Sequence, residues 1–444
     1  MSLTLPTFTS IKTKILNSSL GIDDGFTFCQ EDYPRDWYQE EFLPYADEYL
    51  SLSPCNRETI LSWMESYISP ALQKLGDQML LLAHYYMGGE IAGLTNHFGG
   101  EIGDSYQLAL RAFQSPEKPF IVEAAVHFMG ETISILAHPH QKVYITNPKA
   151  GCSMEAMAKF DLVKSFISEM NDFFGFENVI PICYVNTSGR VKALTGYQNG
   201  LACTSSNAKK VLSFALKTGK RVLFIPDRHL GENTAIDIGL HPEEIFLWTG
   251  ESSKLTDRLA KSRVILFPAF CGVHTYFTAE MVDYWHDEGY NIIVHPESRH
   301  EVVKRANAFG STSFIWDYVI NDRAGRGFYA VGTEGHMIKN LADAAERLGI
   351  KVVNLGSANL SNGGLLSMGC GCATMSRNDP PHLVGLLDLL SKGTPPAANL
   401  ILPGDIISET GTLRERLDEE GISWVRKYAK IALDNMINVT ESKA

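Results

Sequence analysis

Ten short apolar runs alternate with helical patterns along the chain. In the helical patterns, apolar residues recur at the three- and four-residue spacing of amphipathic helices. The alternation predicts βα units with mainly parallel sheets, and ten short runs fit three small sheets better than one wide sheet. The runs occupy residues 79–83, 120–125, 143–145, 179–184, 222–225, 245–248, 264–270, 291–294, 328–331 and 351–354.

Residues 1–66 are rich in aromatic and acidic side chains and show no usable period. Near their end a helix is predicted from Asn56, a suitable N-cap, with Glu58 in the first turn. Apolar residues follow at helical spacing from Ile60 to Leu72. The residues before this helix indicate no chemistry.

The polar residues that end the apolar runs repeat three times. The first and third members of each set are 43, 43 and 39 residues apart. The sets are His84, Ser105, His127 and Cys152; Tyr184, Ser205, Asp227 and Cys271; and His295, Thr312, Glu334 and either Cys370 or Cys372. We therefore predict an α/β fold of three similar αβα modules with small parallel sheets, arranged with pseudo-threefold symmetry around a central active site.

The repeat also suggests how the chain is divided. The predicted segments are an N-terminal extension of residues 1–66, modules of residues 67–157, 158–276 and 277–378, and a C-terminal segment of residues 379–444 that packs back on the modules.

Composition places the chain among globular, enzyme-sized proteins. Its 444 residues are 45% hydrophobic and 20% charged, which is not the composition of a disordered, collagenous or membrane protein. The net charge of −12 argues against nucleic acid as a partner, because such binding needs clustered Lys and Arg. The chain has no signal-peptide-like start and no apolar stretch of about 18 residues, so we expect a cytoplasmic protein without a membrane partner.

Ser105, Ser205 and Thr312 each lie where a helix is predicted to begin after a strand. Ligands of parallel sheets bind beyond the carboxyl ends of the strands, where helix N-termini also point. Each N-terminus favours an anion by about 0.3–1 kcal/mol, so three of them aimed at one point would hold a phosphate group. The alternative is that each residue is simply an N-cap.

The eight cysteines are scattered through the chain, which does not match a disulfide scaffold. Cys152, Cys271 and Cys372 are 119 and 101 residues apart, unlike the short-spaced ligand pairs of a zinc finger. Spacing alone leaves two interpretations. The three thiols are buried structural residues, or they bind a [4Fe–4S] cluster that lacks a fourth cysteine and so keeps one iron open as a Lewis acid.

Twelve short strings, in order over about residues 79–378, resemble the quinolinate synthase (NadA) family. The strings are AHYY at 83–86, GDS at 103–105, VHFM at 126–129, AGCS at 150–153, YVN at 184–186, CTSSN at 203–207, FIPD at 224–227, CGVH at 271–274, HPE at 295–297, GST at 310–312, VGTE at 331–334 and CATM at 372–375.

The resemblance implies a three-domain enzyme with a central [4Fe–4S] cluster. It implies conversion of iminoaspartate and dihydroxyacetone phosphate to quinolinate with loss of phosphate and water. It also implies an aspartate-oxidising enzyme as the supplier of iminoaspartate. The implied cluster ligands are Cys152, Cys271 and Cys372. Cys370 could take the place of Cys372, but we favour Cys372 because Met375 and Asn378 follow it.

The resemblance also assigns the residues that line the cavity. Glu297, with His295 or Tyr86, is the expected acid–base pair. The implied catalytic residues are Glu297, His295, Tyr86, His84, Tyr184 and His274, and the implied substrate-binding residues are Ser105, Asn186, Ser205 and Thr312. We expect hydrogen bonds between domains from His127, Asp227 and Glu334, and structural roles for Cys29, Cys55 and Cys183.

Some positions depart from the family pattern. Ser298 stands where many relatives have Cys, Met87 stands where Gln is expected, and an extra helix-like piece covers residues 251–261. The Pro-rich stretch at residues 394–396 is also unmatched. Two other function classes stay open at this point: a non-catalytic iron–sulfur sensor on the same scaffold, and a zinc-dependent lyase or hydrolase that uses the same thiols.

Overall fold

The computed structural model describes residues 5–14, 35–250, 256–359, 372, 374–407 and 413–442. The N-terminal segment contributes β1 Ser10–Lys14, α1 Leu43–Leu50 and α2 Arg57–Leu75. The next elements are β2 Met79–His84, α3 Gly89–His97, β3 Glu101–Gly103, α4 Ser105–Phe113, β4 Phe120–Ala124, α5 His127–Leu136, β5 Lys142–Ile145 and α6 Ser153–Met157.

The second group of elements is longer than the first. It comprises α7 Phe160–Phe174, β6 Val179–Tyr184, α8 Gly189–Tyr197, β7 Leu201–Cys203, α9 Ala208–Lys217, β8 Arg221–Ile225, α10 Arg228–Asp237, β9 Ile245–Leu247, α11 Thr256–Lys261, β10 Val264–Leu266 and α12 Gly272–Thr275. The third group comprises α13 Ala279–Asp287, β11 Asn291–Val294, α14 His300–Arg305, β12 Ala308–Phe309, α15 Thr312–Ile320, β13 Phe328–Gly332, α16 Gly335–Glu346 and β14 Lys351–Asn354. The chain closes with α17 Pro380–Ser391, β15 Ile406–Ile407, β16 Leu413–Leu417 and α18 Glu419–Glu441.

Three parallel sheets form the frame of the molecule. Their strand orders are β3-β2-β4-β5, β7-β6-β8-β10-β9 and β12-β11-β13-β14. The order is the same in each sheet, except that β9 adds an edge strand to the second. The α/β fold of three similar modules is therefore confirmed, and each of the ten predicted strands is present. The predicted boundaries between modules stay a prediction.

The central strands explain why apolar runs marked the sheets. Every residue of β2 and of β6 is buried, as expected where helices cover both faces of a parallel sheet. The short edge strands β3, β7 and β12 have two or three residues each, too few to produce a pattern in the sequence. The predicted run at 264–270 forms a continuous strand only over Val264–Leu266, and an isolated parallel bridge joins Ala269 to Asp227 beyond it.

Helix α2 begins where the sequence predicted. Asn56 Oδ1 accepts the backbone N–H of Thr59 over 3.0 Å, and Thr59 Oγ1 accepts that of Asn56 over 3.1 Å. This capping box satisfies two of the amide groups that a helix start leaves without partners.

The two ends of the chain are bound to the modules. Strand β1 pairs antiparallel with β16, and α1 and α2 pack against α17. Helix α18 lies along α8, where a side chain at Gly196 would place its Cβ 1.9 Å from the carbonyl oxygen of Tyr428. Among the helices of the described residues, none combines the length and apolar character needed to cross a membrane.

Candidate active site

One cavity lies at the carboxyl ends of the central strands of the three sheets. All thirteen residues that the sequence predicted for the site line it: His84, Tyr86, Ser105, Cys152, Tyr184, Asn186, Ser205, Cys271, His274, His295, Glu297, Thr312 and Cys372. Their individual roles stay predictions. The structure shows that residues up to about 290 positions apart line one cavity.

Equivalent strands supply equivalent corners of this cavity. His84 is the last residue of β2, Tyr184 is the last residue of β6, and His295 directly follows β11. Each of these strands is the second in its sheet order, so the repeat places a polar side chain at the same point of every module. This is the arrangement that ligand sites of parallel sheets use.

Two of the three predicted helix starts are located as expected. Ser105 and Thr312 are the first residues of α4 and α15. Ser205 is not at a helix start, because α9 begins at Ala208. The side chain of Asn207 accepts the backbone N–H of Thr204 over 2.7 Å and forms a turn that contains Ser205 before the helix begins.

Asp104 connects the three modules beside these helix starts, which sequence reasoning missed. Its Oδ1 caps α4 by accepting the backbone N–H groups of Tyr106 and Gln107, both over 3.0 Å. Its Oδ2 accepts the hydroxyl of Ser206 over 2.8 Å and that of Ser313. Each partner is the neighbour of a predicted phosphate contact, so one carboxylate holds three such positions together. The motif GDS contained Asp104, but nothing in the sequence pointed to its partners.

Glu297 is the centre of the buried polar network. Tyr184 donates its hydroxyl to Glu297 Oε1 over 2.6 Å, and His274 Nδ1 lies 3.1 Å from Oε2. His274 Nε2 in turn lies 3.2 Å from Thr333 Oγ1, a residue that the sequence did not single out. Burial alone would raise the pKa of Glu297, but His295, His274 and the Tyr184 hydroxyl outweigh it and lower that pKa. Glu297 is therefore ionised at neutral pH.

Two histidines in the cavity are neutral and have a defined tautomer. His84 Nδ1 accepts the backbone N–H of Tyr86 over 3.2 Å, and His295 Nδ1 accepts that of Glu297 over 3.4 Å. An acceptor Nδ1 leaves the ring proton on Nε2. Burial lowers the pKa of His84 to about 4, and burial together with His274 lowers that of His295 to about 3. Both rings can donate an Nε2–H to a ligand at pH 7.

Tyr86 and Asn186 add a donor and an acceptor. The Tyr86 hydroxyl lies 3.3 Å from Thr312 Oγ1, and burial followed by Glu297 raises its pKa well above the ordinary value, so it stays protonated. Asn186 Oδ1 is buried, and within the described residues it has no hydrogen-bond partner. A buried acceptor of this kind is satisfied when a ligand donates to it.

The three predicted metal ligands come from three different modules. Cys152 and Cys271 stand directly before the short helices α6 and α12, and Cys372 precedes a single helical turn at Met375–Arg377. Burial raises the pKa of all three thiols, and Cys372 raises that of the other two further by charge repulsion. Cys370 lies outside the described residues.

A second set of candidate metal ligands overlaps the first. Ligand atoms of Cys271, His274 and Glu297 all lie within 4.8 Å of one another. Their hydrogen bonds to Tyr184 and Thr333 already satisfy the histidine and the carboxylate, which explains this cluster without a metal.

The contacts of His127, Asp227 and Glu334 correct one expectation. Their hydrogen bonds were predicted to cross between domains, but each residue bonds within its own module. The reason is geometric: each stands at the start of a helix that packs beside the cysteine loop of the same module.

The other cysteines, and the positions that differ from the family pattern, lie in different environments. Cys183 is buried in β6, whereas Cys55 is exposed and so does not fill a core position. Cys29 lies outside the described residues. Ser298 and Met87 are fully buried, and within the described residues the Ser298 hydroxyl has no hydrogen-bond partner.

Comparison with known proteins gives this cavity a context. A family model described as "Quinolinate synthetase A protein" (NadA) matches residues 68–406. The chain is 36% identical to a quinolinate synthase of Bacillus pumilus over 336 residues, 75% of this chain and 86% of that protein. It is 33% identical to a quinolinate synthase of Acidobacterium capsulatum over 88% of this chain and 95% of that protein. It is 37% identical to a quinolinate synthase of Streptomyces coelicolor over 73% of this chain and 80% of that protein. This chain belongs to the quinolinate synthase (NadA) family.

The match to the quinolinate synthase family covers the three parallel sheets and ends at residue 406, the first residue of β15. Strand β1, helix α1, strand β16 and helix α18 lie outside the matched residues and bind the two ends of the chain to the modules that form the cavity.

Proposed function

We propose that this protein is a quinolinate synthase that condenses iminoaspartate with dihydroxyacetone phosphate to quinolinate, with loss of phosphate and water. The observation that carries the proposal is the single cavity lined by all thirteen predicted residues, in a chain that belongs to the family. An aspartate-oxidising enzyme would supply the iminoaspartate.

The cysteine set fits a [4Fe–4S] cluster. Cys152, Cys271 and Cys372 face one buried cavity, where thiolates are costly unless a cationic group accompanies them. These three residues would hold the cluster. When bound, it supplies a Lewis-acidic iron that favours departure of a hydroxyl group as water.

The chain itself binds and orients the triose phosphate. The N-termini of α4 and α15 and the turn that contains Ser205 present N–H and hydroxyl donors to one region of the cavity. Asp104 holds these three positions together through Ser206 and Ser313. This arrangement would anchor the phosphate group and leave the carbon chain directed towards the cysteines.

Proton transfers are assigned to the network around Glu297. As an ionised carboxylate it would accept a proton in the imine–enamine and aldose–ketose steps. The Nε2–H groups of His84 and His295 and the hydroxyl of Tyr86 would donate to carbonyl and carboxylate oxygens of the substrates. Val126, Phe128 and Met154 in the cavity wall exclude water from these steps.

Two other functions make different predictions. A non-catalytic iron–sulfur sensor would hold a cluster whose spectrum does not respond to substrate. A zinc-dependent lyase or hydrolase that used the ligand atoms of Cys271, His274 and Glu297 would contain zinc without sulfide.

An oxygen-free preparation tests the proposal. We expect a brown protein that contains iron and sulfide, forms quinolinate from iminoaspartate and dihydroxyacetone phosphate, and changes its spectrum when quinolinate is added. A folded, colourless and metal-free protein without this activity would contradict the proposal, and zinc without sulfide would support the alternative.

The choice of the third ligand is tested in the same preparation. We expect Cys372→Ser to abolish iron and sulfide uptake after anaerobic reconstitution, and Cys370→Ser to leave it unchanged. Loss of the cluster in the Cys370 variant alone would show that the ligand was assigned to the wrong cysteine.

A further inference from the structure

Asp227 and Glu334 occupy the same position in two modules and make the same pair of contacts. Each is fully buried and stands at the N-cap of a helix, α10 or α16. One carboxylate oxygen caps the helix: Asp227 Oδ1 accepts the N–H of Leu230 over 2.7 Å, and Glu334 Oε2 accepts that of Met337 over 2.9 Å.

The second carboxylate oxygen is bonded to the backbone of a cysteine. Asp227 Oδ2 accepts the N–H of Cys271 over 3.0 Å, and Glu334 Oε1 accepts that of Cys372 over 2.9 Å. We propose that Asp227 and Glu334 are positioning residues that fix the backbone of these two cysteines, so that their thiols meet that of Cys152 in one metal-binding set.

The equivalent position in the first module, at the start of α5, contacts its cysteine loop in another way. Val126 at the N-cap of α5 offers no side-chain cap, but the N–H of His127 donates to the carbonyl oxygen of Ala150 over 2.6 Å. His127 Nδ1 lies 3.0 Å from Glu155 Oε1. These partners lie two residues before and three residues after Cys152. The same repeat position therefore holds the cysteine loop in all three modules.

The contacts are of the kind that fixes a loop. A buried N–H group needs a partner, and a hydrogen bond to a carboxylate is shorter and about twice as strong as one between neutral groups. Glu334 Oε1 also lies 3.2 Å from His336 Nδ1, which forms an ion pair with the carboxylate when the ring is protonated. Groups that orient metal ligands in this way change metal affinity by about 10- to 100-fold when they are replaced.

Amide substitution separates positioning from capping. Asn and Gln keep one carbonyl oxygen, and Asn caps helices as well as Asp does. Their NH₂ group cannot accept an N–H bond, so Asp227→Asn and Glu334→Gln can satisfy the helix or the cysteine amide, but not both.

Asp418 provides a matched control. Its Oδ1 caps α18 by accepting the N–H of Gly421 over 2.8 Å, and its Oδ2 accepts the N–H of Thr9, also over 2.8 Å. It makes the same two contacts as Asp227 and Glu334, but the second partner is in the N-terminal segment and not in a cysteine loop. Asp418→Asn therefore measures the effect of replacing a capping carboxylate with an amide at a site away from the cysteine loops.

The first experiment measures cluster retention and rests on the proposed function. Wild type, Asp227→Asn, Glu334→Gln and Asp418→Asn are reconstituted anaerobically, and loss of visible absorbance is followed after addition of an iron chelator. We expect the first two variants to lose the cluster at least about 10-fold faster than wild type and Asp418→Asn to match wild type. Retention at the wild-type rate in both positioning variants would overturn the inference and leave the proposed function intact.

The second experiment needs no cluster. The reduced apo-proteins are titrated with Cd²⁺, and thiolate-to-metal absorbance gives the affinity. We expect Asp227→Asn and Glu334→Gln to bind Cd²⁺ at least about 10-fold more weakly than Asp418→Asn.

The outcomes separate the inference from the proposed function. If wild type takes up no iron and sulfide but binds Cd²⁺ more tightly than the two positioning variants, the proposed function fails and the inference stands. Absence of Cd²⁺ binding in wild type would overturn the inference. Should one positioning variant fail to fold, the other, in a separate module, carries both tests.

Discussion

Tyr184 is the single residue whose hydroxyl most directly controls the Glu297 carboxylate. It donates to Oε1 over 2.6 Å in a buried site, and this bond is one of the causes that lower the pKa of Glu297. We expect Tyr184→Phe to reduce kcat about 10- to 100-fold, because a lost bond to a buried charge costs about 1.5–3 kcal/mol. Quinolinate formation at neutral pH measures this loss.

Tyr329→Phe is the matched control for this prediction. Tyr329 in β13 donates to Asp322 Oδ1 over 2.7 Å, and neither residue lines the cavity. It should leave kcat unchanged, and both variants should contain as much iron as wild type. Equal kcat values for the two variants would show that the Tyr184 bond has no part in the reaction.

Glu123 makes stability depend on pH. It is fully buried in β4, neither carboxylate oxygen has a hydrogen-bond partner within the described residues, and burial raises its pKa to about 8. Between pH 5 and 8 the folded state keeps a proton that the unfolded state has released, so stability falls as pH rises, by up to about 1.4 kcal/mol per pH unit. Glu123→Gln cannot titrate. In urea unfolding at pH 6, 7 and 8, the free energy of unfolding of Glu123→Gln should increase relative to that of wild type as the pH rises. If the two free energies changed with pH in parallel, the pKa assigned to Glu123 would be wrong.

At the scale of elements, the phosphate site depends on how three separate segments are held together. Ser313 donates to Asp104 but does not line the cavity, so its effect on substrate must pass through position alone. We expect Ser313→Ala to raise KM for dihydroxyacetone phosphate about 3- to 10-fold, the worth of one hydrogen bond, without changing KM for iminoaspartate. Ser165→Ala removes a similar hydroxyl from the exposed side of α7 and is the control. An equal rise in both KM values would indicate general loosening instead.

Elements were predictable where the sequence pattern is local. The central strands are apolar on both faces, so their runs marked all three sheets, and Asn56 marked the start of α2. The pairing of β1 with β16 could not be predicted, because neither strand is apolar enough to stand out and they lie about 400 residues apart. The length of β10 was overestimated because the apolar run continues into a buried loop after Leu266.

The site was predictable to the level of lining residues but not of contacts. Polar residues at strand ends face the same edge of parallel sheets, which predicted that the repeated positions lie together, and the resemblance to the quinolinate synthase family named the thirteen lining residues. Which oxygen of Asp104 or Asp227 meets which partner depends on loop conformation, and loops carry no period. Thr333 was missed for the same reason, although it stands beside Glu334 in a motif that had been identified.

At the scale of the whole molecule, the C-terminal helix connects outer packing to the cavity. Helix α18 lies along α8, and Thr440 Oγ1 near its end accepts the side-chain amide of Asn207 over 3.0 Å. Asn207 forms the turn that contains Ser205. A change in how α18 docks should therefore reach the phosphate site.

Gly196 is the position at which to test this connection. A Cβ there would lie 1.9 Å from the carbonyl oxygen of Tyr428, so Gly196→Ala must push α18 away from α8. We expect a loss of about 1–3 kcal/mol in the free energy of unfolding, as for other overpacked interiors, together with a higher KM for dihydroxyacetone phosphate. Gly93→Ala is the control: Gly93 lies in α3 with open space around its Cβ, and alanine there should be neutral or stabilise by up to about 1 kcal/mol. Denaturant unfolding of the apo-proteins and steady-state kinetics of the reconstituted enzymes measure the two effects. If Gly196→Ala lost stability but kept the wild-type KM, docking of α18 would serve the fold alone, and the turn around Ser205 would be held by its own module.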